Sequence, residues 1–117
     1  MKSFLKILFF TFAICLSSCQ HVVQYPAELL IADSLCSSNP DSAMVYLEGL
    51  SVDLPNYRDP AQRYYQLLTI KAQDKAFISH TSDSLIVDVV SYYEDGGDPG
   101  LLPEAYYYAG RVYRDLG

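Results

Sequence analysis

Proline divides this 117-residue chain into segments of helical length. Proline fixes φ near −65° and lacks an N–H group, so it is favoured at the first position of a helix. An Asn or Asp directly before it can accept the unpaired N–H groups of the first turn. The pairs that predict helix starts in this way are Tyr25–Pro26, Asn39–Pro40, Asp59–Pro60 and Asp98–Pro99.

A further helix start is predicted at Ser82–Asp83, where a hydroxyl can cap and an acidic side chain favours the helix dipole. The predicted helices cover residues 26–37, 40–50, 60–76, 83–95 and 100–115. From Pro26 onward the sequence shows neither strand alternation nor an Asn-Gly hairpin turn, so the predicted fold class is all-α. The fourth helix is the most apolar and is expected to be the most buried.

The first nineteen residues indicate a secretion signal. Two lysines accompany the apolar run Phe4–Leu16, which is shorter than the roughly 20 residues that a membrane span needs. The run ends in Leu-Ser-Ser-Cys, which resembles the lipobox of bacterial lipoproteins. This resemblance implies cleavage after Ser18 and lipid attachment to Cys19. Secretion with a free Cys19 is the alternative interpretation.

These observations predict a signal peptide at 1–18, a tether at 19–25 and a helical domain at 26–117. Gln20 in place of aspartate implies, by resemblance to lipoprotein sorting, an outer-membrane location facing the periplasm. The mature part keeps six basic and 14 acidic residues, a net charge of −8, which disfavours nucleic acid as a partner. Cys36 falls in a helical pattern among apolar residues, which predicts a buried and inert thiol.

The chain also carries an internal repeat at an offset of 42 residues. This offset aligns Asp41–Ser42 with Asp83–Ser84, and it aligns Tyr64–Tyr65 with Tyr106–Tyr107. Periods of 20–50 residues are typical of helical solenoids. The sequence therefore predicts stacked helix pairs.

The segment from Pro103 to Gly117 resembles the first helix of a tetratricopeptide repeat. Tyr106, Ala109, Gly110, Tyr113 and Gly117 lie where that family places an aromatic residue, a small residue, a glycine, a tyrosine and a helix-ending glycine. The bare Cα of the central glycine is expected to admit a neighbouring helix at close range. The resemblance implies a right-handed superhelix of antiparallel helix hairpins with about two and a half repeats.

The match is strong only in that last segment. Leu68 and Lys71 replace the glycine and tyrosine of the middle repeat, and Leu85 stands where the family has a small residue. The repeat length also exceeds that of the family. The first two repeats are therefore degenerate.

The resemblance also implies a partner-binding groove lined by first helices. Tyr65 and Tyr107 are expected to stack as a ladder, and Arg111 with Arg114 to bind a carboxylate. Alternatively, the tyrosines fill gaps between helices and the arginines pair with Glu104 and Asp115. The groove positions implied for this chain are Gln62, Tyr65, Thr69, Gln73, Glu104, Tyr107, Arg111 and Arg114.

Catalytic and metal-binding patterns are missing from the sequence. His21 and His80 each lack a second ligand at helical spacing, and adjacent Ser79 and His80 cannot face one another as nucleophile and base. No glycine motif for phosphate binding occurs. We therefore expect no metal, no cofactor and no enzymatic activity.

The predicted function is that of a membrane-anchored helical-repeat scaffold that binds a protein or peptide partner at the cell envelope. One alternative is the sensory N-terminal part of a longer membrane-bound transcriptional regulator. Another is an outer-membrane glycan-binding lipoprotein. The face formed by Tyr106, Ala109 and Tyr113 is expected to be only half covered, either because the chain continues or because this face docks on another molecule.

Overall fold

The computed structural model describes residues 23–117, and this part of the chain consists of helices joined by turns, without strands. The predicted signal peptide and Cys19 lie outside the described residues. The all-α class is confirmed. The elements are α1 (Ala27–Ser38), α2 (Pro40–Leu50), a 3-10 turn (Leu54–Asn56), α3 (Asp59–Lys75), α4 (Ser84–Glu94) and α5 (Leu102–Leu116). No helix in the described range is long and apolar enough to cross a membrane.

One of the predicted helix caps is confirmed. Asn39 accepts the backbone N–H of Ser42 through its side-chain oxygen at 3.2 Å, at the start of α2. At the start of α4 the cap position is Asp83, whose side chain makes no cap bond, and the hydroxyl oxygen of Ser82 just before it accepts the backbone N–H of Ser84 at 3.2 Å. Each bond satisfies one of the N–H groups that a helix start leaves unpaired.

Two other predicted caps are wrong by a few residues. Asp98 accepts the backbone N–H of Gly100 at 2.9 Å and so closes a turn, whereas α5 begins only at Leu102. Asp59 lies inside α3, and Arg58 occupies the cap position. Both aspartates precede a proline, but proline suits a turn as well as a helix start.

The helices pack in chain order around two apolar cores that share α3. The first core joins α1, α2 and α3, and the second joins α3, α4 and α5. Helix α3 contributes Tyr64 and Leu68 to the first core and Leu67 and Ile70 to the second. The expectation that the fourth helix is the most buried is therefore wrong, because α3 alone has packed neighbours on two sides.

The buried positions of α3 and α5 do not follow the offset of 42 residues found in the sequence. Tyr64 and Leu68 are buried, yet the residues 42 positions later, Tyr106 and Gly110, are exposed. Burial matches instead at an offset of 44 residues. The matching buried pairs are Ala61 with Ala105, Tyr64 with Tyr108, and Leu68 with Val112.

Gly110 faces open space. A Cβ atom built on it would meet no heavy atom within 4 Å, so the predicted close approach of a neighbouring helix is wrong for the described residues. The reason is the shift in register, since α5 turns Tyr108 and Val112 toward the core instead of Gly110.

We expect Gly110→Ala to raise the free energy of unfolding by about 0.5–1 kcal/mol, because alanine restricts the unfolded chain and favours the helix. Urea denaturation measures the change. Gly49→Ala is the matched control, since Gly49 also lies in a helix with open space around it and should give a gain of the same sign. A loss at Gly110 alone would indicate a close contact there.

Candidate functional site

The site residues predicted on α3 are largely engaged within the fold. Gln62 donates its side-chain N–H groups to two carbonyl oxygens of the preceding turn, at 3.1 and 2.9 Å. The hydroxyl of Tyr65 donates to the carbonyl oxygen of Leu47 at 2.7 Å. Thr69 donates to a carbonyl of its own helix, and Gln73 is half-buried. These bonds fasten α3 to α2 and to the 3-10 turn.

Two of the charged site residues predicted on α5, Glu104 and Arg111, are paired with side chains of α3. Glu104 accepts a hydrogen bond from the Lys71 ammonium at 2.6 Å. The Nε–H of Arg111 donates to the carboxylate of Asp74 at 3.1 Å. Arg111 is thus already bound to an acidic side chain of the chain itself. This arrangement agrees with the alternative interpretation, although Asp74 is not the acidic partner expected.

Tyr107 and Arg114 are the exposed members of the predicted set. The ring of Tyr107 meets Tyr108 edge-on at a centroid distance of 5.0 Å, and no aromatic pair joins it to Tyr65 within residues 23–117. The expected ladder is therefore missing there: the hydroxyl of Tyr65 bonds to α2, whereas the ring of Tyr107 packs against its neighbour Tyr108.

An ion network crosses the first helices of the three predicted repeats. The Lys71 ammonium donates to Asp33 of α1 at 2.8 Å and to Glu104 of α5. Burial opposes the charge of Lys71, but the hydrogen bonds to both carboxylates outweigh it and raise its pKa. Tyr64 donates to the second oxygen of Asp33 at 2.9 Å. The network holds α1, α3 and α5 together, so we assign it a structural role.

A second polar cluster closes the turn between α3 and α4. Oxygens of Asp74 and Asp115 and a ring nitrogen of His80 lie within 4.8 Å of one another, a spacing that suits a metal ion. However, Arg111 Nε contacts both oxygens of Asp74, at 3.1 and 3.3 Å, and its positive charge would repel a cation. The backbone N–H of His80 donates to Asp115 at 2.9 Å. This cluster therefore fastens the turn to α5.

The thiol of Cys36 is fully buried, as predicted. Burial raises its pKa to about 11, so it is protonated at neutral pH. Its sulfur lies 3.8 Å from the carbonyl oxygen of Leu68. A protonated and inaccessible thiol is a poor nucleophile.

An apolar groove lies between α4 and α5, and two tyrosines frame it. The hydroxyl of Tyr106 donates to Glu94 at 2.8 Å, and that of Tyr113 donates to Asp83 at 3.3 Å. Both tyrosines are about half exposed, at 48% and 49%, which confirms the expectation of a half-covered face. The tyrosine-framed groove has a volume of about 230 Å³ and is lined by Ile86, Val87, Val90, Ser91, Glu94, Ala109 and Tyr113.

The sequence analysis did not predict that residues of α4 line a binding groove. Val87 is 42% exposed, whereas Ile86 beside it is buried, and the sequence shows both as members of one apolar run. Only the packing of α5 distinguishes the two. The available signal was the unusual apolar breadth of α4, which exceeds what one buried stripe requires.

A larger cleft of about 700 Å³ lies near the start of α1. Its walls include Tyr25, Tyr57 and Arg58, and both tyrosine hydroxyls already donate to carboxylates at 2.7 and 2.8 Å. The cleft borders Val23, the first described residue. The tyrosine-framed groove is the better candidate site, because regular helices form both of its walls.

Neither a protein-family model nor a curated protein nor a solved structure shows significant similarity to this chain.

Proposed function

We propose that the chain is a lipid-anchored scaffold of tetratricopeptide type that binds a segment of a partner protein at the cell envelope, without catalysis. The order of packing supports this proposal, since each of the first four helices packs on the next one along the chain. The ion network, which joins α1, α3 and α5 through Lys71, is compatible with first helices standing side by side.

The tyrosine-framed groove is the observation that carries the proposal. It presents an apolar floor between two antiparallel helices, which is the surface that an amphipathic helix binds. Tyrosine is enriched at protein interfaces because it combines a large rigid ring with a hydroxyl. Tyr107 and Arg114 are exposed on the same helix but do not line the groove, so the proposed surface does not include them.

The Leu-Ser-Ser-Cys ending supports anchoring through Cys19, and Gln20 after it supports a location in the outer membrane, facing the periplasm. Each methylene of an acyl chain contributes about 0.8 kcal/mol to membrane binding, so several chains hold a small domain firmly. The acidic balance of the helical domain argues against direct binding to anionic lipid headgroups. In this proposal the lipid holds the protein at the membrane and the groove holds the partner.

We expect Cys19→Ser to move the protein from the membrane fraction to the soluble fraction of a Gram-negative host. Immunoblotting after ultracentrifugation measures the distribution. Cys36→Ser is the matched control and should leave it unchanged, because Cys36 is buried in the first core. A Cys19 variant that stays in the membrane pellet would contradict lipid anchoring.

Site-specific crosslinking tests the groove. A photoreactive residue at Val87, which lines the groove, should give a discrete crosslinked product in cells. The same residue at Val52, a 76% exposed position in the turn after α2, should not. Equal products from both positions, or none from Val87, would contradict the assignment of the groove.

A further inference from the structure

We infer that the segment bound in the tyrosine-framed groove is a basic amphipathic helix, with an apolar stripe bordered by Lys or Arg. This inference rests on the proposed function and adds the chemistry of the partner. It derives from the charges around the groove and from their spacing along α4.

Acidic side chains stand at both ends of the groove. Glu94 lies beside Tyr106 at one end and Asp83 beside Tyr113 at the other, and each carboxylate accepts one tyrosine hydroxyl. A carboxylate has about four acceptor positions, so each retains capacity for a cation. The lining residues include no Lys or Arg. Arg114 follows Tyr113 and points about 100° further around α5.

The spacing of these carboxylates sets the spacing of their partners. Eleven residues separate Asp83 from Glu94, which corresponds to about 16 Å along a helix at 1.5 Å per residue. A helix lying along the groove would therefore carry its two cations about three turns apart. Its apolar side chains between them would contact Val87, Val90 and Ala109.

Gly110 gives the bound helix room beside the groove. A Cβ atom built on Gly110 would have no heavy atom within 4 Å. Alanine would favour the helix more than glycine does at this position. The backbone of α5 is therefore open to close approach between Tyr106 and Tyr113. A small residue on the incoming helix would permit that approach.

Charge also distinguishes between the possible occupants. A second copy of this chain would bring its own Asp83 and Glu94 to the same interface, where like charges repel. An anionic membrane surface would be repelled in the same way. A basic helix gains from both carboxylates, and the net negative charge of the chain would speed its association.

Two synthetic helices test the inference with the full mature chain carrying Cys19→Ser. Both are about 18 residues long, enough to span the groove, and share one apolar stripe. One carries Lys beside the stripe and the other carries Glu. Fluorescence anisotropy measures binding, and we expect the Lys helix to bind at least about tenfold more tightly.

Removing the charges of the groove should abolish this preference. In the double variant Asp83→Asn with Glu94→Gln, which keeps an acceptor for each tyrosine, the Lys helix should lose about tenfold in affinity. Asp88→Asn is the control, because Asp88 is exposed on α4 but bonds to neither of the tyrosines that frame the groove. It should change the affinity less than about twofold.

The outcomes separate the inference from the function on which it rests. If both helices bind equally and Val87→Glu weakens both, the groove binds helices without a charge preference, and the inference is wrong while the function stands. If neither helix binds, both are wrong. Sedimentation that shows a dimer broken by Val87→Glu would identify a second copy as the occupant and would also overturn the inference.

Discussion

We expect the folded chain to unfold cooperatively as the pH rises above about 10. Tyr64, Tyr93 and Tyr108 are only 2–3% exposed, and burial is the main cause that raises the pKa of each hydroxyl, for Tyr108 to about 12. The folded state therefore retains protons that the unfolded chain releases near pH 10. The contribution of these protonated tyrosines to folding stability is fully present below about pH 10 and is lost as the pH rises above it.

The size of this effect is comparable to the whole stability of a small domain. Each buried tyrosine that stays protonated costs the folded state about 1.4 kcal/mol per pH unit, so three cost about 4 kcal/mol per unit. A domain with about 5–15 kcal/mol of stability should then unfold within a few pH units. Lys71 also lowers the stability of the folded state at high pH, because its pKa is raised in the folded state as well.

The part of the tyrosinate absorbance near 295 nm that comes from the buried tyrosines should appear together with the loss of helical circular dichroism in this titration. Tyr93→Phe provides the sharpest control, because the Tyr93 hydroxyl is buried and has no hydrogen-bond partner among the described residues. That variant should gain about 1–2 kcal/mol at neutral pH and unfold at higher pH. Tyr64→Phe should instead lose about 0.5–1.5 kcal/mol, because it removes the bond to Asp33. Ionisation of all 11 tyrosines with helicity intact would contradict buried tyrosines.

We expect Lys71→Met to lower the free energy of unfolding by about 2–3 kcal/mol. The substitution leaves Asp33 and Glu104 close together without their shared cation, and removal of one partner from a buried pair costs about 3–5 kcal/mol. The value here is smaller because Asp33 is 36% exposed. For a domain of this size, the melting temperature should fall by roughly 10–20 °C.

Thermal unfolding followed by circular dichroism measures this change. Lys75→Met is the matched control, since Lys75 is exposed at the end of the same helix. It should shift the melting temperature by less than about 3 °C, because surface charges away from a network contribute little. Equal effects of the two substitutions would show that the ion network does not hold the three helices together.

The local signals in the sequence placed the helices closely. Proline at a helix start and apolar spacing act within a few residues, so the predicted ranges differ from the observed helices by no more than two residues at each end. Asn39 is a clear case, because its side chain and the N–H group that it caps are three residues apart. The burial of Cys36 followed from the apolar residues in its own helical pattern.

The candidate site depended on contacts between residues distant in the chain. Identical Tyr-Tyr pairs begin at Tyr64 and Tyr106, yet the first of these tyrosines is buried against α1 and the second frames an open groove. Both positions begin the same Tyr-Tyr pair, so neighbouring residues alone do not show which tyrosine is buried and which is exposed. The partners of Lys71 lie 38 and 33 residues away along the chain.

Helix positions and the all-α class could thus be read from the amino-acid order, because capping and amphipathic spacing are properties of neighbouring residues. The register of α5 against α3, the pairing of Glu104 and Arg111, and the exposure of Val87 arose when the helices packed. Side-chain volume and charge from several helices compete for the same space, and that competition is resolved only in the folded molecule.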